Sequence, residues 1–171
     1  KGTFFLADTL VNNHPSVETL EEIVKLTNDS VKIFNVDPVI AMLSYSNFGA
    51  DNTGSPVTVH KAVENLHKNH PEILVDGEMQ VNFALDKDLR SATYPFSKLE
   101  GKDVNTLIFP NLSSANITYK TLLSMGLAEN VGPVQMGLKK PIYVCEPEAS
   151  VRDIMNIVTI AVIDAQINGK K

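Results

Sequence analysis

Val39 to Leu43 is an unbroken run of five apolar residues, and the segments on both sides of it carry apolar residues at helical spacing. A strand that short and wholly apolar must be buried on both faces, which is the situation of a strand inside a parallel sheet covered by helices. Upstream, Leu20, Ile23, Val24, Val31 and Phe34 recur at helical intervals; downstream, Val57, Val59, Ala62, Val63 and Leu66 do the same. The first helix starts after His14-Pro15, with Ser16 as N-cap, and stops before Pro38. The second opens at Ser55 as N-cap with Pro56 at the first helical position, and Pro71 closes it.

The alternation continues along the chain. Thr3 to Val11 reads as a strand, and Ile73 to Val75 as a brief one running into Asp76-Gly77-Glu78, which reads as a turn. A polar helix follows over Val81 to Arg90, then a buried strand over Asp103 to Phe109. Ser113 or Ser114 caps a helix that runs to Met125 and ends at Gly126. Short strands are expected at Val134–Leu138 and Ile142–Cys145. A last helix starts after Ser150 and runs to Asn168, with Val151, Ile154, Val158, Ala161 and Val162 on its inner face. Strands alternating with helices give an α/β fold, layered αβα around a mostly parallel sheet.

Composition narrows the function classes without naming one. Two arginines, no basic run and a net charge of −5 argue against a nucleic-acid partner. A single cysteine, Cys145, excludes an internal disulfide framework and fits a reducing compartment. The run Ile154 to Ile163 is too short to span a bilayer, and the start of the chain carries no secretory pattern, so a cytoplasmic protein without a membrane partner is expected. No GxGxxG, Walker A or paired Cys/His motif occurs. His14, His60, His67 and His70 form no metal-like grouping and read as surface or capping residues. Cys145, beside Glu146, reads as a small buried apolar residue and not as a nucleophile.

Several loop segments, taken in order, are similar to the phosphotransacetylase (phosphate acetyl/butyryltransferase) family. They are Leu43-Ser-Tyr-Ser-Asn-Phe-Gly49, Asp76-Gly77-Glu78, Phe109-Pro-Asn-Leu112 with Asn116-Ile-Thr-Tyr-Lys120, and Gly132-Pro133 through Gly137-Leu-Lys-Lys-Pro141. The resemblance runs from Phe4 to near Gln166. Within the family it is strongest to the domain that ends the large bacterial NADP-dependent malic enzymes, on Phe5-Leu-Ala-Asp-Thr9, Ser46-Asn-Phe-Gly49, Asp76-Gly-Glu-Met79 and Ile160-Ala-Val-Ile-Asp-Ala-Gln166. It implies one lobe of a two-lobed, isocitrate/isopropylmalate dehydrogenase-like fold. Residues 3–145 would form the second lobe, and residues 146–171 a helix returning to an absent first lobe. It also implies a cleft for acyl-CoA, a homo-oligomer, and a malic-enzyme catalytic domain elsewhere in the same protein that uses NADP and a divalent metal.

The departures from that family decide between enzyme and sensor. Transfer of an acetyl group between CoA and phosphate needs a thiolate, cationic clamps on the phosphate and donors for an oxyanion. The resemblance puts a Ser-Arg pair of active relatives at Glu146 and Pro147, and an aspartate base at Asp153. A lysine becomes Phe48, and a glutamine becomes Met136, just before Gly137. A carboxylate about 4 Å from a phosphate is repelled by roughly 4 kcal/mol at an effective dielectric of 20. The replacements therefore predict a domain that does not turn acetyl-CoA over, and the malic-enzyme resemblance implies that it binds acetyl-CoA as an allosteric effector.

Ser44, Ser46, Asn47, Phe48, Asn116, Met136, Gly137, Glu146 and Arg152 are the expected ligand-binding positions, with no catalytic residue and no metal ligand. Each also has a plain structural reading. Asp153 lies in a first helical turn, where the helix dipole favours a carboxylate. Arg152, Lys139 and Lys140 suit a solvated surface, and Asn116 suits a backbone hydrogen bond near its helix start. Two other functions stay open on the sequence: an active phosphate acetyltransferase completed by the absent half, and an oligomerisation module that binds nothing.

Overall fold

A computed structural model of the protein describes residues 2–138, 140, 142–145, 147 and 149–168. Four strands form one sheet: β1 (Phe5–Ala7), β2 (Ile40–Leu43), β3 (Val75–Met79) and β4 (Thr106–Ile108). Their order is β1-β4-β2-β3, and every pair is parallel. β2 is buried at all four positions, as its sequence demands. The helices are α1 (Val17–Ile33), α2 (Gly54–Asn69), α3 (Val81–Leu85), α4 (Lys87–Thr93), α5 (Leu112–Ser124) and α6 (Val151–Asn168). The chain divides into two compact units, residues 1–120 and 121–171.

Local chemistry explains the boundaries. Ser16 caps α1 by accepting from the Thr19 amide at 3.2 Å, and Leu20, Ile23, Val24 and Val31 are its buried stripe. Burying a side chain such as Leu20 contributes roughly 1.5–3 kcal/mol. α2 starts two residues earlier than its Ser-Pro signal suggests, with Thr53 as N-cap and no side-chain cap bond. Pro56 is then the third helical residue, still within the turn whose N–H groups have no intrahelical partner. The polar helix expected over Val81 to Arg90 is two helices, because Asp86 leaves helical geometry and caps the second through the Leu89 amide at 2.9 Å. Asn111, not a serine, caps α5 by accepting from Ser114.

Three expectations are corrected. Asp76-Gly77-Glu78 is not a turn but the middle of β3, buried throughout. The charged pair escapes the apolar pattern of a buried strand because each carboxylate has partners on neighbouring elements. Among the described residues, 134–138 and 142–145 form no strand. Gly137 has φ +78°, which is incompatible with an extended chain. Finally, the apolar stripe of α6 does not face inward: Val151, Ile154, Val158 and Val162 are exposed, whereas Ile157 is buried.

One buried side chain organises the end of the first unit. Arg90, with no exposed surface, donates to the carbonyls of Phe83, Ala84, Leu99 and Lys102. Its guanidinium thus closes the α3–α4 hairpin onto the turn that leads into β4. Burial lowers its pKa, but an arginine stays charged regardless. Its Nε has no hydrogen-bond partner.

Candidate functional site

In an open parallel sheet, ligands gather beyond the C-terminal ends of the strands. Here that edge carries the loop after β1 (residues 8–16), the loop after β2 (44–53) and the turn after β4 (109–111). The post-β1 loop is built on Asp8, whose carboxylate accepts from the amides of Leu10, Val11 and Asn12 and from the Asn12 side chain. Asn116, on α5, reaches the same loop by donating to the Thr9 carbonyl at 3.5 Å.

The post-β2 loop holds Ser44, Ser46, Asn47 and Phe48, and most of their polar atoms are committed to its own shape. Ser44 Oγ accepts from the Ser46 amide, and buried Ser46 accepts from the Asp51 amide. Asn47 Oδ1 accepts from the Gln80 amide at 2.9 Å, and Gln80 returns a bond from its side chain to the Tyr45 carbonyl. Tyr45 hydrogen-bonds Asp51 at 3.0 Å, which raises the phenol pKa. The Asp51 carboxyl is held below its ordinary value, first by Thr53 and then by Tyr45.

Phe48 has φ +47°, the left-handed region, which costs about 1 kcal/mol for a residue with a Cβ. Its ring lies in an aromatic group, with centroids 4.8 Å from Tyr94 and 5.1 Å from Phe96. The next residue, Gly49, has φ +81°.

Sequence reasoning missed the groups that hold this loop. Glu78 is wholly buried, and its Oε1 accepts from the Gly49 amide at 2.8 Å. Its Oε2 lies 2.9 Å from His60 Nδ1, and its carbonyl accepts from the Phe48 amide at 2.7 Å. Asp76, on the same face of β3, accepts from Ser97 Oγ at 2.7 Å and from the Lys98 amide at 2.8 Å. His67 lies 3.7 Å from Asp76 and bonds the Val75 carbonyl at 2.8 Å. His60 and His67 are therefore not plain surface or capping residues. They stand seven apart on one face of α2, opposite two acids that stand two apart on β3. That pairing of periodicities was the signal available in the sequence.

Between the acids, Gly77 has φ +145°, and a Cβ there would meet the Met42 carbonyl oxygen at 2.5 Å. Only glycine lets β3 pass this close to β2.

In the second unit, Met136 is half-buried and Gly137 is exposed. Arg152 pairs with Glu129 at 2.8 Å, both well exposed. Asp153 accepts from the Ser150 amide at 2.8 Å and from its hydroxyl at 2.7 Å, while the Asp153 amide donates back to Ser150. This reciprocal cap of α6 lowers the Asp153 pKa, the Ser150 side chain being the main cause. Glu146, Lys139 and Pro141 lie outside the described residues, while Lys140 and Pro147 are exposed, and so is Cys145, contrary to the expectation that it is buried. Among the described residues, no group of three or more His, Cys, Asp or Glu could hold a metal ion, and no helix is long and apolar enough to cross a membrane.

Comparison with known proteins connects this geometry to a family. The chain matches the family described as phosphate acetyl/butaryl transferase over residues 1–162. It is 41% identical over 166 residues to the NADP-dependent malic enzyme of Escherichia coli, covering 96% of this chain but 22% of that protein. It is 35% identical over 167 residues to the phosphate acetyltransferase of Clostridium acetobutylicum, covering 97% of this chain and 50% of that protein. Among solved structures, a phosphotransacetylase from Streptococcus pyogenes matches with a TM-score of 0.85 at 32% identity, over 97% of this chain and 49% of that one. A phosphotransacetylase from Staphylococcus aureus matches at 0.84 and 30%, over 95% and 52%. The chain thus spans about half the length of these phosphotransacetylases and about a fifth of the malic enzyme.

Proposed function

The chain belongs to the phosphate acetyl/butaryl transferase family, and from that premise we propose that it is the regulatory acyl-CoA-binding part of an NADP-dependent malic enzyme. In this reading it binds acetyl-CoA, aids oligomerisation and does not transfer the acetyl group. The observation that carries the loss of transfer is the state of Asp153. The aspartate that the family resemblance puts in the role of base has both of its hydrogen bonds from Ser150 on one oxygen and a lowered pKa. Taking a proton from a thiol would compete with the capping bonds that hold this carboxylate at the start of α6.

Two further features support the reading. Phe48 stands where active relatives carry a lysine, and its ring packs with Tyr94 and Phe96 instead of offering a cation. Glu146 and Pro147 replace the Ser-Arg pair, removing a phosphate clamp and adding a negative charge. NADP and a divalent metal would serve the malate-oxidising part of the longer protein. Acetyl-CoA acts on that part only to the extent that it binds two of its states with different affinity.

The second reading, an active phosphate acetyltransferase, is favoured by the 35% identity to the Clostridium acetobutylicum enzyme. Calorimetric titration of acetyl-CoA into the full-length protein, run beside an acetyl-phosphate-forming assay and a malate oxidation assay, separates the two. Binding, no acetyl phosphate, and malate oxidation that responds to the ligand are expected. Formation of acetyl phosphate establishes the second reading, and no binding leaves the domain as a structural module.

A further inference from the structure

We propose that Glu78 is the positioning residue of the post-β2 loop, with His60 as the group that orients it. The carboxylate is wholly buried beneath the loop, and its two oxygens are divided between two tasks. Oε1 takes the Gly49 amide at 2.8 Å, and Oε2 takes His60 Nδ1 at 2.9 Å. The Glu78 carbonyl takes the Phe48 amide at 2.7 Å, so both amides of the left-handed turn end on one residue. The imidazole lies directly beneath that turn: a Cβ on Gly49 would sit 3.6 Å from His60 Cε1. That spacing is ordinary contact. Glycine is needed at 49 for its φ, and the ring serves as a floor for the turn.

A buried carboxylate without enough donors is costly, and a side chain free to rotate would not hold an amide in place. The bond from His60 fixes the rotation of the Glu78 carboxylate and leaves one oxygen aimed at Gly49. The histidine's Nε2, 3.7 Å from Glu64, is turned away from this contact. Asp76 provides an internal contrast. It anchors the Ser97–Lys98 turn, but its histidine is 3.7 Å away and is already bonded to the Val75 carbonyl. Glu78 has an orienting imidazole at hydrogen-bond distance, and Asp76 does not.

The link to acyl-CoA rests on the function proposed above; the anchoring of the loop does not. The test uses amide hydrogen exchange of the segment 44–53 in the ligand-free full chain. His60→Asn keeps an N–H where Nδ1 stands, His60→Gln moves it toward Nε2, and His60→Leu keeps the volume with no donor. Exchange in this segment should rise about tenfold in the Leu and Gln variants and stay near wild type in the Asn variant. Exchange of α1 in the same samples shows whether the whole unit has loosened. Asp76→Asn should disturb residues 94–98 and leave 44–53 unchanged. Loop exchange unaltered by His60→Leu, or an Asn variant as loose as Leu, overturns the assignment, because side-chain packing alone would rank Leu above Asn. Acetyl-CoA affinity should then fall in the same order as loop protection. A wild-type protein that ignores acetyl-CoA while its loop follows that order sinks the ligand reading and upholds the anchor.

Discussion

In residues 1–120, two buried acids, a buried arginine and the amides of two loops close on one another; in residues 121–171, large apolar side chains stand open. Glu78, Asp76 and Arg90 are all buried and hydrogen-bonded to loops or carbonyls. By contrast Met125, Leu127, Val131, Ile142, Val144 and Met155 are each more than half exposed. The first unit holds its loops in shape with its own residues. The second has helical propensity and a good cap on α6, yet much of its apolar surface gains nothing from burial within this chain. Length alone does not make a piece of chain self-sufficient; the closure of its polar and apolar groups does.

The largest test of that contrast is Arg90→Met. It leaves four carbonyls without their donor, and chemical denaturation should show a loss on the order of 4 kcal/mol. A loss under about 1 kcal/mol would mean that the arginine fills space and does not organise the first unit. Next comes Gly77→Ala, which forces a Cβ into the Met42 carbonyl at a φ of +145° and should cost roughly 3 kcal/mol in the same measurement. A smaller loss would show that β2 and β3 can part to admit it.

A matched pair of variants then compares the units directly. Val59→Ala in α2, where the side chain is 1% exposed, should cost about 2 kcal/mol; Val158→Ala in α6, 52% exposed, should stay within about 0.5 kcal/mol. Equal losses would break the comparison.

The smallest effect sharpens it. Tyr143 is a part-buried polar side chain of the second unit, its phenol pKa raised to about 12, by burial first and by the hydrogen bond to Asp164 second. The fold prefers the neutral phenol. Its contribution is complete below the unfolded value of about 10 and is lost as pH climbs through the folded value of about 12. A phenolate absorbance titration should show one tyrosine ionising last. If Tyr143 ionises with the others, the second unit has no closed polar pair at that position.

What the sequence discloses follows the same division. β2 and the first two helices were legible because one apolar face at a fixed period is a local signal. β3 was not, because Asp76 and Glu78 are charges in a buried strand, made tolerable by partners 18 and more residues away in sequence. For the candidate site, the loop carrying Ser44 to Phe48 could be found from its position after a buried strand and from family resemblance. The residues that fix its shape left only a faint trace, two histidines seven apart and two acids two apart, whose roles exist only once α2 and β3 face each other. The α6 stripe misled for another reason: an apolar period predicts that a face seeks burial, not that this stretch of chain supplies the cover.

The hold on the post-β2 loop passes through backbone amides of residues 48 and 49, not through the side chain of residue 48. Every amino acid except proline has that amide. The identity of residue 48 is thereby uncoupled from the hydrogen bonds that hold its backbone, and a different side chain can stand there without those bonds being lost.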